Sequence, residues 1–173
     1  MTHDKKPRSF AYLRALLPNV RAMMHGFHRI DSMQGHYNLI NREEEREMIP
    51  YCKSHSISLT PYSPLAGGRL TRLPEEQLST ERGRLDRIAV WKYGSTEDAD
   101  KPIIMRVHEL AERRGVPMAT IALAWELTKA TSPSVGITKP GRVRQVADAF
   151  VSRSRRRKSL IWRSPTSPIG SSA

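Results

Sequence analysis

Two short segments of the chain alternate apolar and polar residues, which is the pattern typical of a β-strand. They are residues 29–34 and residues 56–60, where Ile57 and Leu59 alternate with small polar residues. Residues 134–138, Ser-Val-Gly-Ile-Thr, form a third short strand-like run. The pattern therefore predicts three short strands spread along the chain.

Helix signals lie between these strands. Asn41, followed by Glu44 three residues later, is an N-cap signature, so a helix is expected over about residues 42–53. Pro50 lies inside that range. Because a proline in a helix interior removes a hydrogen bond and crowds the preceding turn, we expect a kink or an early end there.

Three further helices are predicted in the second half of the chain. Asp100 caps a helix that ends at Gly115, and Pro117 opens the next one. Pro140 starts a last helix. The apolar face predicted for that last helix consists of Val143, Val146, Ala147 and Phe150.

Strand and helix thus alternate along the chain, an order typical of parallel sheets whose sites form at the carboxyl ends of the strands. Two stretches of the chain depart from this alternation of strands and helices. Residues 71–99 are polar without a sustained period and predict a long, partly irregular connection. Residues 151–173 are rich in Ser, Arg and Pro and predict a disordered tail.

The charge of the chain is concentrated at its ends. Its formal net charge is +12, of which residues 1–30 contribute +5, residues 31–150 only +1 and residues 151–173 the remaining +6. A nucleic-acid-binding domain carries its charge on the folded body. Nucleic-acid binding through the basic ends is therefore the least favoured function, and a solvated basic tail is the ordinary explanation of residues 153–158.

The remaining composition narrows the class of protein. A single cysteine, Cys52, excludes internal disulfides and favours a reducing compartment, and we expect it to be buried filler. No apolar run approaches the ~20 residues of a membrane span, and the charged start has no secretory apolar segment. The six histidines show no metal-ligand spacing with Cys52, so no metal site is predicted. We therefore expect a soluble, cytoplasmic protein.

Three motifs lie where the predicted strands end, so we expect them on one rim of the sheet. Gln34 ends the first strand, and the Tyr-Ser-Pro-Leu-Ala-Gly-Gly loop of residues 62–68 follows the second. Small residues in that loop would let a pyrophosphate approach the backbone, although such a loop is more often a plain turn. The third strand meets the last helix at Thr138, Lys139 and Arg142, a hydroxyl and two cations that suit a phosphate monoester.

Together these segments resemble the aldo-keto reductase superfamily. The sequence SMQGHYNLINREEEREM of residues 32–48 is similar to the family's segment around its sixth barrel strand, and PYSPLA of residues 61–66 to the end of its seventh. Residues 116–125 and 135–139 resemble the seventh helix and eighth strand. The closest group is the fungal and bacterial NADPH-dependent aldehyde and ketone reductases, including those that tailor fungal polyketides.

The resemblance covers residues 27–150 and implies an α/β fold, a partial (β/α)8 TIM barrel comprising about the last three βα units. Residues 1–26 would be a divergent basic N-terminal segment. The bound cofactor implied is NADPH. The residues implied to bind it are Gln34 on the nicotinamide amide, Tyr62 on the nicotinamide ring, Ser63, Leu65 and Gly67 on the pyrophosphate, Thr138, Lys139 and Arg142 on the 2′-phosphate, and Gln145 near the adenine. Val146 lies where the family commonly has a polar residue.

The family's catalytic Asp, Tyr, Lys and His are carried by its first four strands, and no segment of this chain resembles those strands. A whole barrel takes ~250 residues. The sequence therefore predicts no catalytic residue and a truncated enzyme, the cofactor half of an oxidoreductase acting on an aldehyde or ketone. The alternative is a non-catalytic NADPH-binding or regulatory remnant that associates with itself or with a full-length barrel.

Overall fold

A computed structural model describes residues 10–79, 85–137 and 140–155. Its α-helices there are α1 (Phe10–Met24), α2 (Met48–Ser54), α3 (Arg87–Tyr93), α4 (Glu97–Glu112), α5 (Met118–Glu126) and α6 (Gly141–Arg155), and its strands are β1 (Ser32–Met33) and β2 (Ser58–Leu59). Short 3-10 helices lie at Glu43–Glu45, Ala66–Thr71, Pro74–Ser79 and Gly94–Thr96. The described chain is mixed α/β and mostly helical. None of its helices is long and apolar enough to cross a membrane.

The sheet is parallel, as the alternation of strands and helices predicts. β1 pairs with β2, with Ser32 opposite Ser58. Isolated parallel bridges then join His36 to Tyr62 and Tyr62 to Ser134. The segments around β1, β2 and Ser134 therefore run side by side in chain order. The described residues do not close into a barrel, so the structure is consistent with a partial one.

The strands are shorter than the sequence predicts. β1 and β2 have two residues each, and the third predicted strand is reduced to the bridge at Ser134. Pro61 and Pro133 account for part of this difference, because neither has an N–H group to donate to the hydrogen-bond ladder. Thr138, the predicted end of the third strand, lies outside the described residues.

The helix predicted over residues 42–53 is wrong in its start. The chain forms a 3-10 turn at Glu43–Glu45, and α2 begins only at Met48. Pro50 therefore lies in the first turn of α2, where a missing N–H costs nothing, instead of kinking a helix interior. Asn41 is not an N-cap, because its side-chain amide contacts His36 Nδ1 at 3.2 Å.

The three later helices are present, but the start of α4 and the buried face of α6 differ from the prediction. α4 begins at Glu97, so Asp100 lies inside its first turn, fully buried and accepting a 2.9 Å hydrogen bond from the Thr96 hydroxyl. Pro117 caps α5, as predicted. The predicted inner face of α6 is confirmed at Val146, which packs against the core, and wrong at the other positions: Val143, Ala147 and Phe150 are exposed, whereas Ala149 is fully buried.

The residues predicted to be irregular are partly helical. Two 3-10 helices and α3 interrupt the connection of residues 71–99. α6 continues to Arg155, so the first five residues of the predicted tail are helical. The rest of that tail, and the first nine residues of the chain, lie outside the described residues.

α5 is the centre of the core, because every one of its residues is buried. One face packs Ile121 and Trp125 into a large apolar cluster with residues of the strands, α2 and α4. The other face packs Leu123 and Leu127 against Ala149 of α6. Leu65, in the loop after β2, and Val135, directly after Ser134, also pack against this second cluster.

Candidate functional site

The parallel register brings Gln34, Tyr62 and Ser134 together at the carboxyl ends of the strand segments. The backbone N–H of Tyr62 donates to the carbonyl oxygen of Gly35 at 2.9 Å. The Gln34 amide donates to the Ser134 hydroxyl at 3.4 Å across the intervening segment. Gln34 is exposed, and Tyr62 keeps 36% of its surface accessible. The rim thus presents an amide and an aromatic ring to solvent.

The ring of Tyr62 has two neighbours. The His36 ring lies nearly parallel to it, with centroids 5.2 Å apart and an angle of 17° between the planes. Lys92 of α3 places its Nζ 4.6 Å from the Tyr62 centroid and 3.4 Å from the Tyr62 hydroxyl oxygen, to which it donates. We call His36, Asn38, Tyr62, Lys92 and Tyr93 the rim cluster.

Polar side chains surround the His36 ring. Asn41 Nδ2 lies 3.2 Å from Nδ1, and the Tyr93 hydroxyl oxygen lies 2.7 Å from Nε2. Burial, with a smaller contribution from the nearby charge of Lys92, lowers the pKa of His36 to about 4. His36 therefore presents Tyr62 with an uncharged ring at neutral pH.

Tyr93 anchors α3 to this network. It is buried, its hydroxyl also accepts a 3.1 Å hydrogen bond from Asn38 Nδ2, and the Arg69 guanidinium lies 5.6 Å from its ring centroid. Burial raises the pKa of Tyr93 to about 12, so the hydroxyl stays protonated. The tether holds Lys92, one residue earlier, at Tyr62.

The loop after Tyr62 is tightly wound. Ser63, Ala66, Gly67 and Gly68 all have positive φ, and a Cβ on Gly67 would lie 3.1 Å from the Ala89 side chain. The amides of Ala66 and Gly68 donate to carbonyl oxygens of the same loop, so they are turned inward. Gly67 therefore allows the close approach of α3 to the loop.

The other residues predicted to contact a dinucleotide lie in different environments. The side chain of Leu65 packs between the two apolar clusters of the core, so it supports the loop from within. Arg142 lies half-buried in the first turn of α6 and has no ion-pair partner among the described residues. Gln145 is half-buried one turn later, while Val146 packs into the core. Thr138 and Lys139 lie outside the described residues.

These residues fit a nicotinamide dinucleotide in their donor chemistry. An exposed amide and an aromatic ring lie together at the rim, and a glycine turn follows them. In the first turn of α6 lies a cation without an ion-pair partner among the described residues. A helix N-terminus with a cation suits a phosphate group. The predicted adenine end offers fewer polar contacts, because Val146 is apolar and packs against the core.

Two features of the site have no clear signal in the sequence. The Lys92–Tyr62 pair joins residues 30 apart on elements whose relative position only the fold determines. Asn41 resembles a helix cap until its contact with His36 is known. Cys52, as predicted, is buried, and its thiol pKa is raised by burial and by the nearby Glu44. Within the part of the chain that is described, no cluster of three acidic, His or Cys side chains forms a metal site.

The family model described as the aldo/keto reductase family matches residues 16–156 of this chain. The chain belongs to that family, which confirms the resemblance of its motifs. Over 132 residues, covering 76% of this chain, it is 45% identical to a Schizosaccharomyces pombe protein named as an aryl-alcohol dehydrogenase. It is 44% identical over 124 residues (70% of this chain) to versiconal hemiacetal acetate reductase of Aspergillus parasiticus, and 44% identical over 128 residues (72% of this chain) to an aldo-keto reductase of Metarhizium robertsii.

The match covers only part of each relative. The aligned segments span 39% of the Schizosaccharomyces protein, 36% of the Aspergillus reductase and 33% of the Metarhizium reductase. The chain therefore spans between a third and two fifths of the length of these curated relatives. Family membership is consistent with oxidoreductase chemistry.

Proposed function

We propose that this chain is the NADPH-binding part of an oxidoreductase that reduces an aldehyde or a ketone. The observation that carries the proposal is the meeting of Gln34 and Tyr62 at the carboxyl rim of a parallel sheet, where ligands bind in folds of this class. Gln34 would bind the nicotinamide amide, and Tyr62 would stack on the ring. When bound, the reduced nicotinamide supplies a hydride to the carbonyl carbon.

The phosphate end supports NADPH over NADH. Arg142 lies in the first turn of α6 and has no ion-pair partner in the part of the chain that the structure describes, and Lys139 and Thr138 precede it in the sequence. A cation at this position has a 2′-phosphate to bind in NADPH and none in NADH. Ser63, Leu65 and Gly67 shape the loop for the pyrophosphate, and Gln145 lies toward the adenine.

The substrate class is proposed from the relatives. One of them carries the name of a versiconal hemiacetal acetate reductase and another that of an aryl-alcohol dehydrogenase. An aldehyde or ketone of fungal secondary metabolism would suit both names. A reducing compartment such as the cytoplasm suits the single free thiol, Cys52.

A second function is favoured by the large apolar side chains that the described residues expose, among them Met24, Phe27 and Trp91. In this function the chain would act as a nucleotide-binding or regulatory unit that associates with itself or with a full-length barrel. Calorimetric titration with NADPH and NADH tests the binding that both functions require. Oxidation of NADPH by an aromatic aldehyde, followed at 340 nm, separates them, because only the first function includes turnover.

A further inference from the structure

Lys92 is the one charged side chain in contact with the Tyr62 ring among the described residues. Its Nζ lies 4.6 Å from the ring centroid and 3.4 Å from the hydroxyl oxygen. No carboxylate of the described chain forms an ion pair with it. The other ring beside Tyr62, His36, is neutral. Within the described residues, the ring therefore has one positive charge beside it that no ion-paired carboxylate compensates.

The position of Lys92 follows from its element. α3 is held by Tyr93, whose hydroxyl contacts His36 and Asn38 directly behind Tyr62. The preceding residue is thereby placed at Tyr62, and its ammonium reaches both the face and the hydroxyl of the ring. A group that stacked on the ring would displace the ammonium from the face, while the bond to the hydroxyl would keep it at the edge.

Resting on the proposed function, we propose that Lys92 makes the Tyr62 stacking site selective for the reduced, uncharged nicotinamide ring of NADPH over the positively charged ring of NADP⁺. The two dinucleotides carry the same phosphates, so attraction to those phosphates acts on both. They differ by one positive charge, and that charge lies on the ring that stacks beside the ammonium. Like charges at short range repel, and the repulsion is present only with the oxidised form.

Such selectivity would favour carbonyl reduction over alcohol oxidation. A site that releases the oxidised ring more readily than it releases the reduced ring favours product departure after hydride transfer. The same charge would oppose alcohol oxidation, for which NADP⁺ must bind first. Lys92 would then be a specificity-determining residue for the redox state of the cofactor.

The test is the ratio of the dissociation constants for NADP⁺ and NADPH, measured by calorimetry on the full chain. Replacing Lys92 by Met, or by Gln as a second variant, should lower this ratio by roughly two- to five-fold, the range expected for a solvent-accessible charge pair. Lys92→Arg should preserve it. Tyr62→Phe keeps the ring but removes the hydroxyl that holds the ammonium, so it should also lower the ratio.

Lys53→Met is the matched control. Lys53 is an exposed lysine in the last turn of α2, which precedes β2 and so lies toward the opposite end of the strands. The Lys53→Met substitution removes the same net charge without affecting Tyr62, so the ratio of the two dissociation constants should stay unchanged. Circular dichroism of each variant checks that the fold is retained.

A measurement on the unaltered chain supplies a second line of evidence. Raising the salt concentration from about 0.1 M to about 1 M shortens the screening length from about 10 Å to about 3 Å, so the ratio should fall toward that of Lys92→Met. Binding of both dinucleotides with the same ratio in Lys92→Met and the unaltered chain would overturn this inference and leave the proposed function standing. Failure of either dinucleotide to bind would overturn both.

Discussion

The carboxyl group of Glu126 is fully buried in α5, and neither of its oxygens has a hydrogen-bond partner in the described chain. Because burial disfavours the charged form, the pKa of Glu126 is raised to about 9. The side chain is therefore neutral in the folded protein at pH 7, whereas it is ionised in the unfolded chain. This difference ties the stability of the core to pH.

Glu126 should make the protein less stable as pH rises. A group whose pKa is raised on folding contributes stability fully below its unfolded pKa, near 4.5, and that stability is lost as pH rises toward 9. The slope expected from one such group is about 1.4 kcal/mol per pH unit. Urea unfolding at a series of pH values between 5 and 8 measures it.

Glu126→Gln should remove most of this slope, because the amide does not ionise. Glu112→Gln, at the exposed end of α4, is the matched control and should keep it. Equal slopes in Glu126→Gln and the unaltered chain would show that the Glu126 carboxyl does not remain neutral in the fold.

Arg142 gives a second prediction at the scale of the residue. Arg142→Ala should weaken NADPH binding by about 1 kcal/mol, roughly five-fold, and leave NADH binding unchanged, because only NADPH carries the 2′-phosphate. Arg144→Ala is the control: it is exposed two residues further along α6, on another side of the helix. Calorimetry with both cofactors gives the result, and a loss of affinity shared by NADPH and NADH would contradict the assignment.

At the scale of the element, the turn at Gly67 joins the loop after Tyr62 to α3. Gly67 has a φ of 66°, and an added Cβ would lie 3.1 Å from the Ala89 side chain. Gly67→Ala should therefore destabilise the protein by about 1–2 kcal/mol through backbone strain and crowding. Gly136→Ala has open space and no positive φ, so it should be nearly neutral. Thermal unfolding of both variants measures the difference, and equal melting temperatures for Gly67→Ala and Gly136→Ala would contradict this prediction.

The elements also show how far the sequence predicts this fold. Periodicity and turn residues locate the parallel segments, α4, α5 and α6, because these signals are local. They misplace the start of α2, since Asn41 has a contact with His36 that competes with capping. They place Val146 correctly on the buried face of α6 but miss Ala149, because the small side chain that is buried there gives a weak hydrophobic signal.

The same distinction holds for the candidate site. Gln34 and Tyr62 can be located from the sequence because each follows a strand, and parallel strands end at one rim. The Lys92 ammonium cannot, since its place depends on Tyr93 reaching His36 across the fold. Long-range contacts of this kind have no local pattern in the chain.

At the scale of the whole molecule, the described residues hold one close Tyr–Lys pair, Lys92–Tyr62, and its tyrosine is the residue proposed to stack on the nicotinamide. The Tyr93 hydroxyl is buried with a raised pKa, so it is a poor proton donor. We therefore expect the chain alone to oxidise NADPH with aldehydes far more slowly than ~10 per second. Steady-state assays with aromatic aldehydes check this, and ordinary turnover would require a donor among these groups.

The last prediction concerns self-association. α1 and the segment after it expose Met24 (78% accessible) and Phe27 (72%), and α3 exposes Trp91 (80%). Within the described residues, β1 pairs on one edge only, and a strand edge left open readily pairs with another chain. Burying a side chain of this size contributes roughly 1.5–3 kcal/mol, a large part of the ~5–15 kcal/mol by which a domain is stable.

We therefore expect the chain to associate with itself or with a partner that covers these faces. Size-exclusion chromatography over a range of concentrations should show a rising apparent mass, and Phe27→Ser with Met24→Ser should reduce it. Val143→Ser, on the exposed side of α6, is the control for lost hydrophobicity elsewhere. A monodisperse monomer that unfolds cooperatively would contradict this expectation.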